Sequence, residues 1–411
     1  MPEFNLDIAP IHFPLLGNSL VVGVFSLLHI ALAGLSVGFM VLAPIFEVTG
    51  RTTPYNYDLA RAVTRFTVIV FSVSTVLAVI MVELMIGLFP VTTMWAWNRF
   101  HAPIGLAIAA FLVQLAALYP YYHFWDSLRQ HKPVLHTMLG ALAALLMLIW
   151  VAVLDGMGSS MLTPVDSGTS WGYLLNPTWV PLMLHRLVGD VLIAGYVIAA
   201  YGAWRSGRSE DRDHHKYYMH LFTTGWKIGV AGLLSQPIIG LLYALTIQRS
   251  APAAYEQLIH GPYQPFLYIQ FGLIGLLFVG THLLLRPARP VFQPTWLDVA
   301  IPLSALFMVL SIGHTSIRRF FLYVLTGLLL RALWLHEHAG PLPPAGSSRL
   351  FRPLAVGLGA VSILIYLTMG TIRETVRRPD TVRGVISLED EVKHPAADRA
   401  QRGNEEVGMR K

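Results

Sequence analysis

Ten runs of mostly apolar residues follow one another through the chain, and short polar stretches separate them. A run of about 20 such residues, folded as an α-helix, spans roughly 30 Å of hydrocarbon. Only 13% of the residues are charged, whereas a typical soluble domain carries about 25%. The sequence therefore predicts an all-α, polytopic bundle of about nine or ten transmembrane helices. The runs are Leu20 to Phe46, Phe66 to Phe89, Pro103 to Phe124, Val134 to Leu154, Trp179 to Trp204, Tyr218 to Ile247, Phe266 to Leu285, Trp296 to Ile312, Phe320 to Leu335 and Leu354 to Met369.

A single membrane domain is the simplest organisation for a chain whose apolar runs continue this far. The domain is predicted to cover residues 1–372, and a polar, charged tail is predicted at 373–411. The tail contains Pro379 and Pro395 and has no apolar period. We therefore expect it to be extended or disordered unless a partner binds it.

Arginine and lysine residues are concentrated in alternate connections, those after the first, third, fifth and seventh runs. Cations beside transmembrane helices favour the cytoplasm, so the N-terminus is predicted to lie outside. The same loops account for the net charge of +6, which favours membrane lipid as the surroundings and excludes nucleic acid as a partner. Ten crossings would also place the tail outside, whereas nine would place it inside.

The chain contains 16 histidines and no cysteine. Without cysteine there is no disulfide, no iron–sulfur cluster and no covalent attachment of a c-type haem. A haem would have to be held non-covalently, through imidazole ligands. The predicted orientation divides the candidate histidines into an outer group, His29, His101, His185, His260 and His314, and an inner group, His136, His220 and His282.

His29 and His185 are the strongest candidates because both lie within apolar sequence, where a buried neutral imidazole needs a partner. For any of these histidines the alternative is a hydrogen bond to water or headgroups at the membrane surface. Glu83 is the most isolated acid within a run. It is expected to be protonated, paired with a histidine or arginine, or part of a proton or haem-propionate network. Asp155 and Asp190 have polar neighbours, so we expect structural pairing for both.

Several short motifs, each present once, follow one another along the first half of the chain. They are His29 with Gly34-Leu35-Ser36-Val37-Gly38 and Glu47, Glu83 ahead of Trp95, Ala102-Pro103, Asp155-Gly156, Leu175-Asn176-Pro177, and His185 with Gly195-Tyr196. In this order, residues 15–204 resemble subunit I of the cytochrome bd quinol oxidases. The resemblance implies an integral protein of a prokaryotic cytoplasmic membrane, with haem ligation by His29 and His185.

The resemblance further implies a glutamate that ligates a haem three residues before an arginine. Glu374 has that spacing to Arg377, while His314 lies four residues before Arg318, and the sequence does not choose between them. The guanidinium group of Arg377 would also suit a haem propionate. The inner histidines His136, His220 and His282 are further candidates for iron ligands.

Three features depart from the family's pattern. The family has two carboxylates in its third span that serve the oxygen-reducing haem, but residues 104–114 contain no acid. The family's methionine ligand at the start of the seventh span is replaced here by Ile269-Gln270. The connection from Gln248 to Gln264 is too short to assume the family's quinol-binding loop.

These departures favour a haem-b-binding electron-transfer subunit of a respiratory complex, part of a quinol-dependent oxidoreductase. It would pass electrons between the quinone pool and a partner, either a c-type cytochrome or another redox subunit, and would bind other membrane subunits. Quinone would be its second ligand. A terminal quinol:oxygen oxidoreductase subunit is the first alternative. A haem-free membrane anchor or a proton-conducting subunit is the second.

Overall fold

The computed structural model describes residues 11–13, 15–285, 295–311, 313–338 and 350–391. Nine helices in this part of the chain are long and apolar enough to cross a membrane, and α11 is a shorter apolar helix. The predicted polytopic helical bundle is thus confirmed. The helices are α1 (Asn18–Thr49), α2 (Tyr55–Leu88), α3 (Pro90–His123), α4 (Trp125–His131), α5 (Pro133–Ser160), α6 (Ser170–Leu174), α7 (Trp179–Ser206), α8 (Arg212–Ser250), α9 (Pro252–His260), α10 (Gln264–Leu285), α11 (Leu297–Leu310), α12 (Thr315–His338) and α13 (Phe351–Val376).

Most of the long helices extend past the apolar runs that predict them. Helix α8, for example, begins at Arg212, six residues before the predicted start at Tyr218. The carboxylate of Asp211 caps it by accepting a hydrogen bond from the His214 N–H at 3.0 Å. Hydropathy marks only the part of a helix that lies in hydrocarbon, whereas a polar cap lets the same helix continue into the headgroup region.

The start of α1 and the end of α13 lie at the same end of the bundle, which we call the N-terminal end. Ser19, near the start of α1, and Glu374, near the end of α13, line one cavity. At the opposite end, His282 of α10 pairs with Asp298 of α11 at 2.8 Å. Helix α11 begins at this opposite end. Helix α12 begins at the N-terminal end, where Arg319 donates a hydrogen bond to the hydroxyl of Tyr255 in α9. The short α11 therefore runs from the opposite end of the bundle to the N-terminal end. The tail therefore emerges on the same side as the start of α1.

Helix α7 lies at the centre of the bundle, in contact with α1, α5, α8 and α13. Its approach to α8 depends on glycine, because a Cβ atom on Gly195 would lie 2.5 Å from the backbone nitrogen of Gly229 and 2.8 Å from the carbonyl of Gly225. Small residues at such crossings let helices pack closely in lipid. This packing holds the polar side chains of α7 inside the protein.

The first part of the tail is folded. It contains an antiparallel pair of strands, β1 (Asp380–Val382) and β2 (Ile386–Ser387), joined by a turn in which Gly384 has φ of 66°. Val382 and Ile386 are buried in a cluster with Trp95. The expectation of an extended or disordered tail is therefore wrong for residues 373–391. This segment has no apolar period, but it is held in place because Val382 and Ile386 pack against distant apolar residues. Residues 392–411 lie outside the described part of the chain.

The tail is fastened to helix α3 by Glu391. Its carboxylate, which is only 3% exposed, accepts hydrogen bonds from the N–H groups of Val91 at 3.0 Å and Thr92 at 2.8 Å, and from the Thr92 hydroxyl. These N–H groups belong to the first turn of α3, where no carbonyl within the helix can accept from them. Glu391 thus caps a helix that begins 300 residues earlier.

We expect this attachment to weaken as the pH rises. Burial raises the pKa of Glu391 above its ordinary value of 4.5, although the hydrogen bonds from α3 oppose the rise. The docked tail then binds more protons than the released tail, so docking is strongest when Glu391 is protonated and is lost progressively as the pH rises through the raised pKa. Hydrogen–deuterium exchange of residues 380–391, corrected for intrinsic rates, should show protection that falls between acidic and neutral pH. The fall should be absent in Glu391→Gln, and an equal fall in that variant would contradict the assignment.

Candidate functional site

His29 lies about three turns into α1 and faces α2. Its Nδ1 lies 2.9 Å from the carbonyl oxygen of Ser74 and 3.1 Å from the Ser74 hydroxyl. Since a carbonyl oxygen only accepts, Nδ1 carries the proton and donates it, which leaves the lone pair on Nε2. A histidine that ligates a metal typically donates its other ring N–H to a backbone carbonyl in this way. Nε2 of His29 therefore keeps a lone pair that is not used by Ser74.

His185 lies two turns into α7 and faces α8. Its ring is 5.9 Å from that of Tyr243, and a Cβ atom on Gly240 would lie 3.4 Å from its Cε1 atom. The buried Nδ1 atom has no hydrogen-bond partner among the described residues. An imidazole without a partner in apolar surroundings is costly. The residues around His185 therefore fit a bound group that would satisfy the ring.

An arginine next to His185 holds the centre of the site together. The Arg186 guanidinium lies 2.5 Å from Asp155 of α5 and 3.7 Å from Asp190, one turn along α7. The predicted structural pairing of both aspartates is thus confirmed. A Cβ atom on Gly34 would lie 2.6 Å from both Asp190 Oδ1 and the Tyr366 hydroxyl, so α1 and α13 converge on the same carboxyl group.

Arg186 directly follows His185 in the sequence, so its ion pairs with Asp155 and Asp190 lie next to that histidine. The sequence motifs do not single out Arg186 as a functional residue. Its signal is an arginine within an apolar run, which is a functional candidate by default.

Glu374 and Arg377 form an ion pair at the end of α13. Both line a cavity of about 110 Å³, together with Ser19 and Gly23 of α1. The Nη1 atom of Arg377 also lies 2.7 Å from the sulfur of Met161, while its Nε atom is buried without a partner in the described chain. The unpaired Nε–H group of Arg377 is a donor suited to a carboxylate such as a haem propionate.

The other predicted ligand residues lie outside the surroundings of His29, His185 and Glu374. His314 is exposed on the connection between α11 and α12, and Glu83 is exposed on α2. The inner histidines already have protein partners: His136 contacts Glu47 and the Tyr121 carbonyl, His220 contacts Asn56, and His282 contacts Asp298. Within the described residues, no group of three or more histidine or acidic side chains could hold a metal ion without further ligands.

Comparisons with known proteins identify the family and the fold. The model of the family described as cytochrome bd terminal oxidase subunit I matches residues 20–272. Among solved structures, the bd oxidase from Geobacillus thermodenitrificans is similar, with a TM-score of 0.66 and 15% sequence identity over 93% of this chain and 92% of that chain. At this identity, the likeness establishes the fold alone. No curated individual protein matches the chain.

Proposed function

Because this chain belongs to the cytochrome bd terminal oxidase subunit I family, we propose that it is the haem-binding subunit of a membrane-bound quinol oxidase complex. Family members act in multi-subunit membrane complexes and bind haems, so the chain is an electron-transport protein that works with other membrane subunits. The observation that carries the proposal is the pair of histidines on α1 and α7. Each has a ring nitrogen without a protein partner in the described chain.

A bound haem b would supply one-electron chemistry at its iron. Nε2 of His29 and a ring nitrogen of His185 would be the ligands from this chain. Glu374 would be a further ligand, and Arg377 would hold a propionate group. Arg186 keeps Asp155 and Asp190 paired within the protein, so that their charges do not face lipid. The predicted location is a prokaryotic cytoplasmic membrane, with the N-terminal end of the bundle outside.

Electron transfer to a partner redox protein, such as a c-type cytochrome, is the second candidate function. Two observations favour it. Residues 104–114 of α3 contain no acid that could deliver protons to an oxygen-reducing haem. In addition, α8 is joined to α10 by the short helix α9 (Pro252–His260), which leaves little chain for a quinol-binding loop.

Spectra and oxygen consumption of the complex purified from its own membrane separate the two functions. A quinol oxidase should consume oxygen with a reduced quinone as donor, and its reduced haem should bind carbon monoxide. If the haem is reduced without oxygen consumption or carbon monoxide binding, but passes electrons to an added c-type cytochrome, the second function holds. Folded complex without haem would overturn both.

A further inference from the structure

A cavity of about 200 Å³ lies at the opposite end of the bundle from the Glu374–Arg377 pair. It is lined by Arg61 and Arg65 of α2, Tyr122 and His123 of α3, and Trp125 of α4. Its volume would hold roughly six water molecules. We propose that this cavity, the basic cavity, binds the phosphate group of an anionic phospholipid.

The charge of the basic cavity calls for an anion. Arg61 and Arg65 lie one turn apart on α2, where like charges repel each other. Arg61 is paired with Asp126 at 2.6 Å, but both side chains are substantially exposed. Arg65 forms no ion pair with any residue that the structure describes and is exposed. The two arginines and Asp126 therefore leave one positive charge for a ligand.

Neutral donors complete the lining. Trp125 is only 3% exposed and packs against Tyr121 and His136, so it forms the floor of the cavity. His123 and Tyr122 add further polar atoms at the end of α3. The forked N–H groups of the two arginines are donors suited to phosphate oxygens.

The surface next to the cavity identifies the ligand as a lipid. Beyond Arg65, α2 presents an exposed apolar stripe that includes Ile69 and Val76, which are 62% and 60% exposed. Beyond His123, α3 presents Tyr119 and Leu112, which are 60% and 57% exposed. A phosphate in the basic cavity would thus place acyl chains along two lipid-facing helices. Free phosphate would make no use of these stripes.

The position also agrees with the distribution of charge over the protein. Arg51, Arg129 and Arg205 lie at the same end of the bundle as the cavity. Basic recesses at the cation-rich side of membrane proteins are where anionic headgroups bind, each cation contributing about fivefold to the affinity.

The test compares phosphatidylglycerol, phosphatidylcholine and inorganic phosphate on the full-length protein in detergent. Native mass spectrometry counts retained lipid, and thermal unfolding reports stabilisation. Phosphatidylglycerol alone should be retained and should stabilise the protein. Its affinity should fall about fivefold in Arg65→Gln and further in Arg65→Glu, while Arg51→Gln, which removes a charge from the same end outside the cavity, should retain it.

Equal stabilisation by inorganic phosphate would show a free-anion site and overturn the lipid assignment. Unchanged retention in Arg65→Glu, or equal retention of phosphatidylcholine, would overturn the site itself. Arg65 is exposed, so its replacement should leave folding intact, and tryptophan fluorescence of each variant verifies this. None of these outcomes depends on bound haem.

Discussion

His185→Ala should lose the haem that His185 ligates, and His29→Ala should lose the haem that His29 ligates. Replacing even an indirect partner of a metal ligand lowers metal affinity about 10- to 100-fold. Loss of the ligand itself should cost more, so the haem should dissociate during purification. The pyridine haemochrome assay and the reduced-minus-oxidised spectrum measure this loss without requiring activity. Separate losses in the two variants would show that the two histidines serve different haems.

A histidine outside the site provides the control. His260 is 55% exposed and, among the residues that the structure describes, pairs with Glu256 at 3.9 Å, so His260→Ala should keep the full haem spectrum. His185→Gly supplemented with imidazole distinguishes ligation from packing, because a ligand can be replaced from solution whereas a lost packing contact cannot. Full haem content in His185→Ala would show that this imidazole is not a ligand.

Much of the fold can be predicted from the sequence because lipid imposes one rule. Every backbone group must be satisfied within a crossing, so long apolar runs become helices, as they do here from α1 to α13. Two features depart from this rule. Helix α11 has only 14 residues, which is shorter than the run Trp296 to Ile312 that predicts it and shorter than a full crossing. The strands β1 and β2 are stabilised by burial against residues 90–107, which no local pattern reveals.

The candidate site is less predictable, because the partner of each side chain comes from a distant helix. The apolar sequence around His29 predicts that it is buried, but the Ser74 carbonyl that orients its ring belongs to α2. Similarly, His136 and His282 are indistinguishable from His185 by composition. They differ in the structure, where each contacts a carboxylate, Glu47 or Asp298.

Arg186→Met is expected to destabilise the folded protein by about 3–5 kcal/mol. Arg186 is the ion-pair partner of the buried carboxyl groups of Asp155 and Asp190, which are 2% and 1% exposed. Removing one partner of a buried ion pair leaves an uncompensated charge, and this accounts for a cost of that size. Unfolding of the purified protein by a denaturing detergent, followed by tryptophan fluorescence, measures the change. The matched control is Arg205→Met on the same helix, whose hydrogen bond to the Tyr218 hydroxyl at 2.9 Å should contribute about 1 kcal/mol.

The two carboxyl groups determine whether charge or packing explains the loss. If the uncompensated charge is the cause, Arg186→Met combined with Asp155→Asn and Asp190→Asn should recover most of the lost stability, since the neutral amides need no counter-charge. If packing is the cause, the triple variant should be at least as unstable as Arg186→Met, and the proposed electrostatic role would be wrong. Recovery of stability without recovery of haem content would show, in addition, that the charges of Arg186 and its partners are needed to bind the cofactor.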